Sequence, residues 1–141
     1  MTPPELTVEL ENRTALELDG AALCGLLRRT LLAEGVGEGD VGLVVVAAGE
    51  MADLNGLHRG NPQPTDVLSF PIDEDDPLPA GVPRQLGDIV VCPEIATAEG
   101  TPLELLVIHG ALHLLGYDHE TDAGEMLARQ AELAGAARIG A

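Results

Sequence analysis

Lysine is absent from this chain of 141 residues, so its seven basic side chains other than histidine are all arginine. Against 24 acids they leave a formal net charge of −17. A field of that sign repels RNA, DNA and anionic lipid, so composition alone argues against a nucleic-acid partner or a membrane surface. Cysteine is scarce too: Cys24 and Cys92 could form at most one bridge. Both sit inside apolar runs and are expected to be buried free thiols, which fits a reducing compartment. Long apolar runs are missing. The longest uninterrupted one, Leu43 to Ala48, falls far short of the roughly 20 residues that cross a bilayer as a helix. The opening Met1-Thr2-Pro3-Pro4-Glu5 has no basic stretch followed by an apolar one, so no signal peptide is expected. Internal repeats and interdomain linkers are also lacking. The expectation is one soluble, cytoplasmic domain that buries roughly two-thirds of its unfolded surface without disulfides.

The acids are unevenly spread. Nine lie in residues 1–50 and eight in 73–104, but only Asp53 and Asp66 in 51–72. Arg59 falls in that quieter stretch beside His58, a locally less negative place on an acidic body. The run Asp73-Glu74-Asp75-Asp76 is expected to be a solvated loop.

Polar and apolar residues alternate over 5–10, as in an edge or half-buried strand. Leu23, Leu26, Leu27 and Leu31 recur at helical spacing over 20–34, with Gly35 as a stop. Residues 41–48 form a nearly continuous apolar run, typical of a strand covered on both faces. A short helix is expected at 50–58, strands at 66–72 and 87–92, an exposed loop at 73–85, and a short helix at 93–99 after Pro93. This order predicts an α+β fold with one small mixed sheet and helices packed on it, the last two strands antiparallel. The next helix is the best specified. Thr101 can be its N-cap, Pro102 its first residue and Glu104 its third, a capping box. Apolar residues surround its axis from Leu103 to Leu115, so it should be buried. Gly116 supplies a left-handed end. A last helix is expected over about 121–137.

Three of the four histidines fall in the stretch His109-Gly110-Ala111-Leu112-His113-Leu114-Leu115-Gly116-Tyr117-Asp118-His119. His109 and His113, four apart, share one helix face and stand one turn apart. Gly116 breaks the helix and lets the chain bring His119 over the same point. Three imidazoles can hold one divalent ion, with zinc expected, and leave a fourth position open, as catalytic sites do. The spacing H-x-x-x-H-x-x-G-x-x-H is that of the metzincin proteases. Those enzymes carry a glutamate general base directly after the first histidine, where this chain has Gly110. The metal geometry is present without the protease base, which counts against peptide hydrolysis.

A second unusual block runs from Leu54 to Pro71. Taken bottom-up it is a helix end, a Gly/Pro/Asn turn and a strand, in which Arg59 could be a solvated residue or a functional one. Asp66 and Asp88 could be turn formers bonded to backbone. The histidine block closely resembles the signature of the YbeY family, bacterial metal-dependent ribosomal RNA maturation factors. Leu54-Asn55, Arg59-Gly60 and Pro64 through Pro71 match that family's second block, and Gly87-Asp88-Ile89-Val90-Val91-Cys92-Pro93-Glu94 a third. The match runs from about 50 to 132 in the family's order. Three departures are visible: His58 stands where the family usually has tyrosine, the segment between Glu99 and Val107 is several residues shorter than usual, and lysine is absent.

The resemblance implies an α+β fold, one ion held by His109, His113 and His119, and Arg59 as a further functional residue. It also implies a single-strand endoribonuclease of small-subunit ribosomal RNA maturation and ribosome quality control. Its partners would be single-stranded or ribosomal RNA and the ribosome, with neither DNA nor membrane. A rival of another class is an acidic ribosome-assembly factor that binds a basic ribosomal protein and keeps its metal for structure. A third is a hydrolase of some small substrate that shares only the fold.

Overall fold

Four short stretches carrying valine or isoleucine become strands, and the segments between and after them become helices. The computed structural model describes residues 5–74 and 76–139. The absence of a leader at Met1–Pro4, and the Asp75 member of the acidic run, are expectations that lie outside the described residues. The elements are β1 (Leu6–Asn12), α1 (Gly20–Ala33), β2 (Gly39–Val45), α2 (Ala48–Arg59), β3 (Val67–Pro71), β4 (Gln85–Val91), α3 (Pro93–Glu99), α4 (Leu103–Leu114) and α5 (Glu125–Ala136).

The sheet order is β1-β2-β4-β3. β1, β2 and β4 run parallel, and β3 returns antiparallel to β4, pairing Val67 with Val91 and Pro71 with Gly87. The expected mixed sheet with an antiparallel last pair is therefore present. β1 lies at an edge, where Glu9 and Glu11 point charge outward and discourage strand pairing with another chain.

One face of the sheet carries the main core. Leu23, Leu26, Leu27 and Leu31 of α1, Val107, Ile108 and Leu112 of α4, and Met126 of α5 pack there on Val41, Leu43, Val45, Ile89 and Val91. Full burial of a side chain of this size stabilises by about 1.5–3 kcal/mol. The opposite face is covered only toward the C-terminal ends of the strands, where Met51 of α2 packs with Val46, Leu68, Val90 and Cys92. β2 is therefore not covered on both faces along its whole length as expected, because α2 reaches only one end. At the other end Gly42 is half-exposed. Cys92 is buried, while Cys24 is half-buried.

Two helix starts differ from expectation. α4 begins at Leu103 with Pro102 in the cap position, and no side chain caps it. Thr101 is used instead to end α3. Gly100 takes φ 73, and the Thr101 N–H reaches back to the Ala96 carbonyl at 2.9 Å. α5 begins at Glu125 rather than near 121. Residues 118–124 are spent on turns, and Asp122 makes the start: its carboxylate accepts from the N–H groups of Gly124 (2.8 Å) and Met126 (2.9 Å). Glu125 accepts from the Ala123 N–H. Gly124 holds the cap position without a side-chain cap of its own, and Asp122 and Glu125 brace the turn that leads into it.

α4 meets the sheet at Gly110. A Cβ there would stand 2.5 Å from Ile89 Cγ2 and 3.3 Å from Val67 Cγ2. The Ser69 hydroxyl donates to the Gly110 carbonyl at 2.8 Å. Position 110 faces the sheet, so a glutamate could not stand there as a base without lifting the helix. Gly110→Ala should destabilise the protein by about 1–3 kcal/mol through overpacking, despite alanine's better helix propensity. Urea unfolding checks this, and a neutral or stabilising result would mean that α4 sits farther from β3 and β4.

Candidate metal centre

The contact at Gly110 fixes the rotation of α4. At about 100° per residue, His109 and His113 project from a flank roughly 60–100° round the axis from Gly110. That flank is not covered by the sheet, and both rings are half-buried. The helix then stops. The Gly116 N–H donates to the His113 carbonyl at 3.0 Å, and the Tyr117 N–H to Leu112 at 3.0 Å. Gly116 holds φ 101 between them, a backbone state that costs other residues roughly 1–2 kcal/mol. The chain turns back, and the Asp118 carboxylate secures the turn by accepting from the Glu120 N–H at 3.0 Å. That bond, with the Thr121 hydroxyl, holds the Asp118 carboxyl below its ordinary value. His119 is thereby brought over the first two.

Candidate ligand nitrogens of His109, His113 and His119 all lie within 4.8 Å of one another. Ring centroids are 4.8 Å apart for His109 and His113, and 5.1 Å for each of the other pairs. His113 Nε2 and His119 Nδ1 face each other at 3.1 Å. Two nitrogens bound to one tetrahedral zinc, each at about 2.0–2.1 Å, would be about 3.3–3.4 Å apart. At least one of the facing nitrogens must be free of hydrogen. His113 is held neutral to lower pH than an ordinary imidazole, first by burial and then by the neighbouring His109 and His119. A neutral ring with its lone pair inward is what a divalent ion requires. These residues fit a metal ion.

The centre opens into a cleft of about 610 Å³, and Arg59, His58, Asp66, Ser69 and Glu120 line it as well. Arg59 sits in the last turn of α2, exposed, and the four sequence-expected site residues thus share one cavity. His58 joins them, its ring edge-on to Phe70 at 4.4 Å. α2 ends where Asn55, buried, ties the following turn by donating to the Gln63 carbonyl at 2.8 Å. Asp66 lies at the cleft, its side chain bonded to no backbone group among the described residues, and Asp88 is in mid-strand on β4. Neither is the turn former considered from sequence. Asp88 lies over Gly42, where an added Cβ would come 2.2 Å from its Oδ1.

Four supporting residues were not found from sequence. Gln130 Oε1 stands 2.7 Å from His109 Nδ1. The Tyr117 hydroxyl donates to Glu34 Oε2 at 3.0 Å, and Arg129 pairs with the same carboxylate. Glu34 and Tyr117 are 83 residues apart, and no local pattern joins them. For Gln130 there was a signal: it lies on the face of α5 that carries Met126, Leu133 and Ala134, a polar residue on an apolar stripe.

Three imidazoles converging on one side of a cleft are the framework of a metal-dependent hydrolase, and the comparisons with known proteins agree. A family model described as Endoribonuclease YbeY matches residues 9–137. A protein of Acidothermus cellulolyticus named Endoribonuclease YbeY is 41% identical, covering 91% of this chain and 89% of that one. One of Salinispora tropica with the same name is 35% identical, covering 91% and 94%. The solution structure of TM1509 from Thermotoga maritima aligns with a TM-score of 0.53 at 30% identity, over 94% of this chain and 91% of that one. The chain belongs to the YbeY endoribonuclease family.

Two outcomes are expected. Untagged protein should carry about one metal ion per chain by elemental analysis, and His113→Ala should lose most of it. Undiminished metal in that variant would place the ion elsewhere. In metal-free protein, His113 stays neutral below 6.5, the usual imidazole value, while the unfolded chain takes up a proton there. Stability should therefore fall as pH drops through 6.5 and stop falling below the folded value. His113→Phe should lack that component in urea titrations at pH 7.5 and 5.5.

Proposed function

We propose that this protein is a cytoplasmic, single-strand-specific endoribonuclease that acts in small-subunit ribosomal RNA maturation and ribosome quality control. Its substrate is single-stranded or ribosomal RNA, and neither DNA nor a membrane is a partner. The observation that carries the reading is the shared cleft: Arg59 and three converging histidines line one cavity in an otherwise strongly acidic chain. Family membership supports RNA as the substrate class. No helix among the described residues is long and apolar enough to cross a membrane.

His109, His113 and His119 would hold the ion, and an all-nitrogen donor set suits zinc. When bound, the ion supplies Lewis acidity toward a phosphate oxygen and a lowered pKa for water. The remaining work falls to the chain. Arg59 forms no salt bridge among the described residues, so its fork is free to hold two oxygens of the scissile phosphate. His58 offers an exposed ring on the same wall, steadied by Phe70. A base can stack there only if it has left its own stack, which favours single strands over duplex.

A second reading rests on a different place. Glu9, Asp40 and Asp88 line a groove of about 340 Å³ on the open part of the sheet. In that reading the groove binds a basic ribosomal protein, and the metal is structural.

Incubation with a single-stranded RNA oligonucleotide separates the two. Metal-dependent cleavage, absent in His113→Ala, is expected. Intact RNA together with binding of a basic ribosomal protein would favour the assembly factor. Arg59→Ala should keep metal and fold yet cut about 10²–10³-fold more slowly, as for loss of one preorganised transition-state donor. Arg59→Lys should recover only part, keeping charge without the fork. Near-normal cleavage by Arg59→Ala would make Arg59 a solvated helix-end residue.

A further inference from the structure

Gln130 belongs to α5, and nothing in the local sequence links it to the histidine block. It is half-buried on the stripe that packs Met126, Leu133 and Ala134 into the core. A polar amide on such a face is costly unless it is bonded. Its one side-chain hydrogen bond among the described residues is with His109, Oε1 to Nδ1 at 2.7 Å.

We propose that Gln130 is a positioning residue for the metal centre: it fixes the tautomer of His109 and sets how tightly that ligand grips the ion. The proposal rests on the reading of the three histidines as metal ligands. An amide oxygen can only accept, so the hydrogen of neutral His109 resides on Nδ1 and the lone pair on Nε2. That leaves Nδ1 bonded to protein and Nε2 available. A flipped amide would donate to Nδ1, force the hydrogen onto Nε2, and close the site to a cation. The orientation of this one amide therefore decides whether His109 can be a ligand.

The support behind Gln130 is firm. Its neighbour Arg129 pairs with Glu34 at the end of α1, and that carboxylate also receives the Tyr117 hydroxyl, two residues before His119. α5 thus holds the centre from two directions, through Gln130 on the ligand helix and through Glu34 on the ligand turn. An acceptor on the far nitrogen of a ligating imidazole pushes electron density toward the metal-facing one. A neutral amide does this less than a carboxylate does, so Gln130 sets an intermediate grip. A carboxylate at 130 would still meet the far side of the ring, away from the ion.

The test uses full-length protein and zinc, with affinity read by competition against a chromophoric chelator at pH 7.5. Gln130→Leu keeps the apolar packing and removes the acceptor, and its affinity should fall about 10–100-fold. Gln130→Glu should bind several-fold tighter than the wild type. ¹⁵N-resolved NMR of metal-free wild type should show His109 protonated at Nδ1, and Gln130→Leu should lose that preference; packing alone would not move this signal. Affinity within twofold of wild type in Gln130→Leu, or His109 protonated at Nε2 in the wild type, overturns the proposal. If Gln130→Leu does not fold, Gln130→Glu decides, and unchanged or weaker binding overturns it. Wild type that binds no zinc would instead remove the metal reading on which the proposal rests. His109→Ala, expected to lose zinc, separates that failure from a failure at Gln130.

Discussion

α4 touches the sheet where it has no side chain, and the rest of the site takes its position from that contact. Gly110 lets the helix backbone come close enough to Ile89 for the Ser69 hydroxyl to reach its carbonyl. A helix buried along most of its length must satisfy or expose any polar group it carries. Here the contact turns the buried stripe inward and leaves one flank uncovered, and both helical histidines occupy that flank. Close packing and the polarity of the centre are thus two results of one rotation. The same contact explains the missing protease base, because position 110 belongs to the core rather than to the cleft.

Much of this was legible in the sequence, for identifiable reasons. The period of the leucines in α1, the proline and glycine that bound α3, and the lack of a helical pattern between β3 and β4 are local signals, and they gave the element order and the antiparallel pair. His109, His113 and Gly116 are also local, so their convergence with His119 could be anticipated from helix geometry. Reading failed where two elements compete for one residue. Thr101 has the chemistry of an N-cap, but its N–H terminates α3, and the choice depends on how α3 ends. It failed again at Asp88, a residue common in turns that here lies in mid-strand over a glycine on the next strand. Glu34, Tyr117 and Gln130 are joined only through packing of α1, α4 and α5, which no single window contains.

The acidity of the chain also looks different once its arginines are located. Arg13 pairs with Glu11 and Glu50, and Arg129 with Glu34 and Glu132. Arg84 gathers the carbonyls of Asp73, Glu74 and Asp76 and steadies the acidic loop. Arg28 bonds the Leu6 carbonyl and ties α1 to β1. These guanidiniums are occupied by structure, where a planar fork does what a lysine could not. Arg29, Arg59 and Arg138 make no salt bridge among the described residues, and of the three only Arg59, at a helix end secured by Asn55, lines the cleft. Net charge therefore describes the outer surface poorly as a guide to the site, because local positive potential depends on which arginines remain unpaired.

Glu34 has one more consequence, which concerns time rather than shape. It closes the first helix, yet its two partners, Tyr117 and Arg129, follow 83 and 95 residues later. A chain leaves the ribosome from its N-terminus, and sheet and early helices can begin to settle before α5 exists. The turn that carries His119 can reach Glu34 through Tyr117 as soon as it is made, but the pairing of Arg129 with the same carboxylate, and the bond of Gln130 to His109, must wait until α5 has been made and has docked. During synthesis, then, the histidines of α4 emerge before the structure that orders them. A nascent chain therefore lacks the bracing of its centre by Gln130 and Arg129 until α5 has been made.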